Sequence, residues 1–202
     1  MADLFEVLTV DHRQTVEWLD GLLHATHHRP EDQIRLNGLT QQLVILASKH
    51  EAVEEMYVWP AVRHLGQEGI HLNKAGLAQE IVGKQVLDQL DGRTPSAPDF
   101  DEVLDRFSTA VRDHIRFEEE DVWPVLRSAL DPGDSEALAD KVERARFLAP
   151  THPYPSGPQK PAALKAFGPA IGLFDRARDA VTGRGHLSYP DEPATDRGTR
   201  SE

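Results

Sequence analysis

The sequence predicts an all-α fold, an up-down four-helix bundle with a proline-rich C-terminal extension. Apolar residues recur at helical spacing in four segments before residue 147, and short connections separate these segments. From Leu148 onward the character changes, because five prolines fall within residues 150–161. We therefore expect a bundle over residues 1–147 and an extension over residues 148–202.

A repeated motif is the third observation behind this prediction. Residues 50–63 and 114–127 share the pattern His-x3-Glu-Glu-x3-Trp-Pro-x-[Val/Leu]-Arg. Chance rarely repeats so many positions at identical offsets in a chain of 202 residues. The repeat predicts two helices that do the same job in a pseudo-symmetric structure.

The composition excludes several classes of protein. The absence of cysteine excludes disulfides, zinc ribbons and Cys-ligated iron–sulfur clusters. A net charge of −12 argues against nonspecific nucleic-acid binding. No apolar run is long enough to span a membrane, and the first residues lack the basic and apolar regions of a signal peptide. We therefore expect a cytoplasmic protein without a membrane span.

The first helix is predicted over residues 3–24. Phe5, His12 and Leu19 are seven residues apart, which puts His12 in the apolar stripe of this helix. A lone His there is more often a core or surface residue, but its position matches that of two further His on later helices. His12 is therefore a candidate metal ligand, and Asp11 beside it could support that role or cap the helix.

The second helix, predicted over residues 31–63, carries the first copy of the motif. His50 continues an apolar line of Leu residues at seven-residue spacing, and Glu54 follows one turn later. Pro60 lacks a backbone N–H and should kink or end the helix just beyond. Tyr57 shares the His50 line, where core packing is favoured over contact with a metal or ligand.

The third helix is predicted over residues 72–91. Glu80 shares a line with the apolar Leu87 and so points roughly inward. It is either a metal ligand or an edge carboxylate in water. Gly76 and Gly83 lower the helix propensity and could permit close helix contact.

The fourth helix, predicted over residues 99–129, carries the second copy of the motif. Phe107 and His114 are seven residues apart, and Glu118 continues a neighbouring apolar line. A short final helix is expected over residues 135–147.

The extension offers little regular structure. Residues 170–181 form one candidate amphipathic helix, which either docks onto the bundle or contacts a partner or a membrane surface. The composition of residues 185–202 predicts disorder.

The spacing of the motif suits a metal site. On a helix, His at position i and Glu at i+4 lie about 40° apart and can reach one point beside the axis. Imidazole and carboxylate together suit a first-row transition metal, and a cation would offset the cost of burying the carboxylates. The alternative is a core His with a Glu reaching outward to water. Glu55 and Glu119 point about 100° away from the ligands and should be solvated.

Four helices with mid-helix His on three of them, and His-x3-Glu-Glu-x3-Trp-Pro on two, resemble the hemerythrin family, specifically bacterial HHE cation-binding domains. The resemblance covers about residues 3–147, and the tail is similar to extensions of actinobacterial members. It implies two non-haem irons bridged by an oxo or hydroxo group and by carboxylates. It also implies a ligand set, with Glu80 standing where the third helix of the family usually offers a ligand: His12, His50, Glu54, Glu80, His114 and Glu118.

The candidate ligands depart from those of the oxygen carriers that the sequence resembles. Those carriers have five His and two carboxylates, whereas this chain offers three His and three Glu. Since carboxylates stabilise ferric iron more than imidazoles do, the set favours oxygen or peroxide chemistry, including catalase-like breakdown of hydrogen peroxide. Two alternatives stay open. One is a module that binds or senses oxygen or nitric oxide, or stores iron, without turnover; the other is a metal-free structural bundle.

Overall fold

The computed structural model describes residues 2–25, 30–156 and 161–184. These residues form helices joined by short connections, with no strand among them. The elements in chain order are α1 (Leu4–Leu23), α2 (Pro30–Val53), a π-helical turn π1 (Glu54–Val58), α3 (Trp59–Arg63), α4 (Gly66–Leu90), α5 (Phe100–Phe117), a second π-helical turn π2 (Glu118–Val122), α6 (Trp123–Ala129), α7 (Pro132–Arg146) and α8 (Pro161–Thr182).

The four long helices α1, α2, α4 and α5 make the bundle that the sequence predicted. Each of them packs against two others, in the cyclic order α1, α2, α4, α5. The short helix α3 prolongs the contact between α2 and α4, and α7 packs against α1 and α2. The all-α prediction and the four-helix bundle are both confirmed.

A layer of buried polar residues divides the core of the bundle into two apolar clusters. One cluster contains Leu8, Val53 and Trp123, and the other contains Leu43 and Leu104, among further residues of the same helices. Each long helix contributes to the layer between them, because each carries a buried polar residue between its two apolar segments. These residues include Asp11, His12, Thr15, Ser48, His50, Glu51, Glu80, Ser108 and His114. The layer is where a polar site would lie.

The two copies of the motif contain π-helical turns that the sequence did not reveal. The backbone N–H of Trp59 donates to the carbonyl of Glu54, and that of Trp123 donates to the carbonyl of Glu118. The prolines that follow, Pro60 among them, lie in the first turn of the next helix, where the missing N–H costs least. In place of the end or kink predicted at Pro60, the helix has a wider π-helical turn that starts at Glu54. Such turns are frequent at functional sites.

Helix α4 begins at Gly66, six residues before the predicted start. Gly66 has a φ of 79°, which makes it the turn residue between α3 and α4. Gly69 is already helical, and a Cβ there would lie 2.0 Å from the carbonyl oxygen of Val62. Gly69 therefore allows the close approach of two helices.

Helix α8 is longer than the predicted amphipathic helix and is attached to the bundle through polar contacts. Thr151 donates from its backbone N–H to Asp175 and from its hydroxyl to Asp179. His152 lies between Asp179 and Asp91, which follows α4. The segment 185–202, for which disorder was predicted, lies outside the described residues. No described helix is long and apolar enough to span a membrane.

Candidate metal centre

The structure brings the six predicted ligand residues together in the polar layer. They come from α1, α2, π1, α4, α5 and π2, so every long helix takes part directly or through its π turn. All six are buried; their relative exposures are His12 3%, His50 8%, Glu54 0%, Glu80 1%, His114 7% and Glu118 0%.

The donor atoms of these residues form two overlapping groups. One consists of His12, His50, Glu54 and Glu118, and the other of Glu54, Glu80 and His114. Within each group the donor atoms lie within 4.8 Å of one another, a spacing at which one ion could contact all of them. Glu54 belongs to both groups, as a carboxylate bridging two metals would.

The carboxylates of the two motif copies direct their oxygens to different His residues. Glu54 Oε1 lies 3.1 Å from His50 Nε2, and Glu54 Oε2 lies 3.9 Å from His114 Nε2. Glu118 Oε2 lies 3.1 Å from His12 Nε2, and Glu118 Oε1 lies 3.8 Å from His114 Nε2. Each Glu thus contacts the His one turn before it in its own motif copy and a second His from another helix.

Most of the inward donor atoms have no hydrogen-bond partner although they are buried. Buried polar atoms are normally paired, because an unpaired one costs about 1–3 kcal/mol and more when it is charged. Here seven such atoms face one small volume: His12 Nε2, His114 Nε2, both oxygens of Glu54, both oxygens of Glu118, and Glu80 Oε2. A pair of divalent cations would satisfy these atoms at once, so the residues fit such ions.

Each of the three His residues is oriented by a hydrogen bond from its other ring nitrogen. His12 Nδ1 lies 2.8 Å from Glu119 Oε1, His50 Nδ1 lies 3.0 Å from Asp11 Oδ2, and His114 Nδ1 lies 3.1 Å from Gln79 Oε1. Because these oxygens accept, Nδ1–H donates in each neutral imidazole. The lone pair of Nε2 then faces the centre, as a metal ligand requires.

Two of these supporting residues were not found in the sequence. Glu119 is exposed, as expected, and its carboxylate also contacts His12 on the neighbouring helix. Gln79 carried no signal, since it has no counterpart in the repeat. Asp11, which was a candidate for support, contacts His50 of α2 and also accepts from Arg146 of α7 at 2.6 Å. The spacing along one helix does not reveal such contacts between helices.

Glu80 is held from two sides. The indole N–H of Trp59 donates to Glu80 Oε1. Lys84 Nζ lies 3.7 Å from Glu80 Oε2, the oxygen that faces the centre. Gly76 makes room for the indole, because a Cβ there would lie 2.2 Å from Trp59 Cη2. The close helix contact expected at Gly76 is thus present. The alternative in which Glu80 lies at the edge of the bundle in contact with water is wrong, because Glu80 is buried.

The expectation that Glu55 is solvated is also wrong. Glu55 is 4% exposed and forms an ion pair with Lys84. Glu51 is buried beside them, and burial raises its pKa to about 8. The outer side of α2 is covered here by α4 and by residues 150–154, so a carboxylate turned away from the centre does not reach water.

Burial and neighbouring charges shift the protonation of the inward carboxylates in opposite directions. Burial, reinforced by the charge of Glu54, raises the pKa of Glu118 to about 8. Burial also raises the pKa of Glu80 well above its usual range. Burial acts in the same sense on Glu54, but the charge of His50 and the nearby imidazole of His114 hold its pKa below its usual range. Without a cation, the three carboxylates therefore do not all ionise near neutral pH.

A surface groove of about 750 Å³ between α1 and α5 reaches the edge of the centre. His12, Glu119 and Trp123 line its inner end. The indole of Trp123 stacks on His12, with ring centroids 5.1 Å apart. The groove thus borders the His12 side of the centre and none of the other five ligand residues lines it.

Tyr57 does not reach the centre. It is half-buried and packs against the apolar cluster that contains Val53. The ammonium of Lys165 lies 4.5 Å from the centroid of its ring. The π turn changes the phase of the helix between His50 and Tyr57, so the shared seven-residue line does not hold, and Tyr57 packs as the favoured alternative predicted.

A four-helix bundle whose polar layer collects His and Glu donors from all four helices defines a cation-binding class of protein. The chain belongs to the family described as the hemerythrin HHE cation binding domain, whose model matches residues 3–126. The family resemblance predicted from the motif is therefore confirmed.

Known proteins related to this chain include members of the same family. An uncharacterised hemerythrin-like protein of Schizosaccharomyces pombe is 28% identical over 141 residues, which are 69% of this chain and 70% of the relative. A DNA nickase of Nostoc is 24% identical over 70% of this chain, but the match covers only 38% of the nickase. This chain also superposes on the crystal structure of a hemerythrin HHE cation binding domain-containing protein from Mycobacterium kansasii, with a TM-score of 0.61 and 20% identity. The match covers 72% of this chain and 86% of that one, and it supports the fold alone.

Proposed function

We propose that this chain is a non-haem di-iron protein that handles oxygen or peroxide, and that it breaks down hydrogen peroxide in a catalase-like reaction. In that reaction two peroxide molecules give two water molecules and one oxygen molecule. The proposed ligands are the six residues of the two donor groups, with Glu54 shared between the ions.

The observation that carries this proposal is the set of seven buried donor atoms without hydrogen-bond partners. A structural bundle would satisfy these atoms with hydrogen bonds or replace them by apolar residues, since buried carboxylates without hydrogen bonds are costly. The three His are meanwhile oriented by hydrogen bonds at Nδ1, which keeps each Nε2 available for a metal. This combination supports metal binding over the metal-free alternative.

The choice of iron rests on the family resemblance, and the choice of peroxide chemistry rests on the donor types. Three carboxylates supply negative charge that stabilises the ferric state, whereas a pocket of neutral imidazoles would favour the ferrous state. A bound iron pair would supply two-electron exchange with the substrate. Around it, the two apolar clusters exclude bulk water from both ends of the polar layer, and the α1–α5 groove admits a small molecule beside His12.

Metal content and peroxide turnover of one preparation test the proposal together. Protein from iron-supplemented cells should contain about two irons per chain and release oxygen from hydrogen peroxide. The double substitution His50→Ala/His114→Ala should remove both properties. The matched control is His24→Ala/His71→Ala, which changes two exposed His and should leave both properties unchanged.

Three results would contradict parts of the proposal. A preparation with only trace metal and an intact fold would contradict the di-iron centre. Two irons per chain with no oxygen release would exclude peroxide turnover. A stable and reversible spectral change with oxygen or nitric oxide, in iron-loaded protein without turnover, would favour a binding or sensing module.

A further inference from the structure

Helix α8 carries an apolar stripe that faces away from the bundle. Leu173 and Phe174 are each 67% exposed, and Val181 is 88% exposed. Three exposed alanines lie on the same face. The six residues follow one another at intervals of four, three, one, three and four positions, which places all of them on one side of the helix. The stripe consists of Ala166, Ala170, Leu173, Phe174, Ala177 and Val181. It runs for about 22 Å along the helix axis.

The opposite side of α8 holds the helix on the bundle through its acidic residues. Asp175 is fully buried and accepts from the backbone N–H of Thr151 and the hydroxyl of Tyr154. Asp179 is 7% exposed and accepts from the hydroxyl of Thr151. The face of α8 that contacts the bundle is therefore the acidic one, and the apolar stripe lies on the other side.

The exposed charges of α8 are all positive. Asp175 and Asp179 are its only acidic residues, and both are buried. Arg178 is exposed, Arg176 is half-buried, and Lys165 is exposed with its ammonium over the ring of Tyr57. The chain as a whole carries a net charge of −12, whereas α8 exposes no acidic side chain.

We propose that this face of α8 binds an anionic lipid surface. An amphipathic helix that lies in a membrane interface has a Leu and Phe stripe flanked by cations, and it is attracted to acidic headgroups. The stripe of α8 has this composition. Its large side chains also protrude, since exposures of 67–88% leave no neighbouring wall that would form a groove for a peptide.

A second copy of the chain fits this face less well. In a two-fold contact between copies, each outward face meets itself. The α8 of the second copy would offer no exposed acid to pair with Arg178 across the contact. An anionic bilayer supplies the missing negative charge and accommodates a protruding apolar surface, so the charge distribution favours the lipid.

Flotation of the full-length, metal-loaded protein with lipid vesicles tests this inference. The protein should float with vesicles of phosphatidylglycerol and phosphatidylcholine, but not with vesicles of phosphatidylcholine alone. Added salt should weaken the binding. The substitutions Leu173→Ser/Phe174→Ser and, separately, Arg178→Glu should each lower the bound fraction about tenfold.

The matched control is Val10→Ser/Ile34→Ser, which removes two apolar residues of similar exposure (63% and 70%) from α1 and α2. It should float like the unmodified protein, and every variant should keep its helical circular dichroism and its metal content. Equal loss of binding in this control would overturn the inference. The absence of flotation would also overturn it. In that case, loss of a dimer in the Leu173→Ser/Phe174→Ser variant, measured by sedimentation, would assign the stripe to a second copy. Protection of the stripe by residues 185–202, measured by footprinting, would assign it to that segment.

Discussion

Trp59 donates its indole N–H to Glu80 across the contact between α3 and α4, and Gly76 leaves the space that the indole fills. This relationship couples a motif residue to the candidate ligand on the third helix. The indole both packs in the core and fixes one oxygen of Glu80, so that the other oxygen faces the centre.

Substitution of Gly76 should disturb this coupling. In Gly76→Ala the new Cβ would lie 2.2 Å from Trp59, and the indole must move because both helices are buried there. We expect a loss of about 2 kcal/mol in the free energy of unfolding, which urea denaturation would measure. Gly21→Ala in α1, whose new Cβ would lie 3.4 Å from a flexible Leu39 side chain, should instead stabilise by about 1 kcal/mol. Equal effects of the two substitutions would contradict the role given to Gly76.

The two donor groups predict different metal losses for two carboxylate substitutions. Glu54→Gln removes the carboxylate common to both groups and should lower the metal content from about two ions per chain to nearly none. Glu80→Gln affects one group and should leave about one ion per chain. Elemental analysis with the exposed Glu68→Gln as control distinguishes the cases. An equal loss in both variants would mean that the two groups do not bind separate ions.

Lys84 should weaken metal binding at the group that contains Glu80. Its ammonium lies 3.7 Å from the inward oxygen of Glu80 and pairs with Glu55, so it competes with a cation for the same charge. Lys84→Met should destabilise the metal-free protein by about 3 kcal/mol, because it leaves buried carboxylates unpaired. Metal addition should then raise the melting temperature of this variant more than that of the unmodified protein.

Lys84→Arg, which keeps the positive charge, is the control for that comparison. It should show a metal-induced shift in melting temperature close to that of the unmodified protein. A smaller shift in Lys84→Met than in Lys84→Arg would show that Lys84 assists the metal instead of competing with it.

The metal-free protein should become less stable as the pH rises. Glu118 and Glu51 have pKa values of about 8 in the folded state against 4.5 ordinarily, so the folded state binds more protons than the unfolded state between these values. Stability is then highest at the acid end of this window and falls as the pH approaches 8. The raised pKa of His50 acts in the same direction. The lowered pKa of His12, due to burial and His50, opposes it only below pH 6.5.

Metal should reverse this trend, because ions displace protons from their ligands and bind more tightly as the pH rises. Thermal melts of chelated and loaded protein at about pH 5, 6.5 and 8 would test both statements. A metal-free protein whose melting temperature rises steadily across this range would contradict the protonation assigned to Glu118 and Glu51.

The sequence alone determined the class of fold and the residues of the candidate centre. Seven-residue apolar lines fix which face of each helix is buried, and the His-to-Glu spacing of one turn puts two donors on that face. The structure brings His50, Glu54, His114 and Glu118 together as that argument expects, and their binding of metal stays a prediction.

Tertiary structure decided what lies across from each of these residues. Spacing relates positions on one helix, whereas the partners of His12, His114 and Glu80 come from other helices, as Glu119, Gln79 and Trp59. The π turns escaped the sequence pattern because a local widening of the helix leaves the motif unchanged while it shifts the phase of every later residue. The burial of Glu55 depended on the packing of α4 and of residues 150–154 against α2, which no pattern within α2 records.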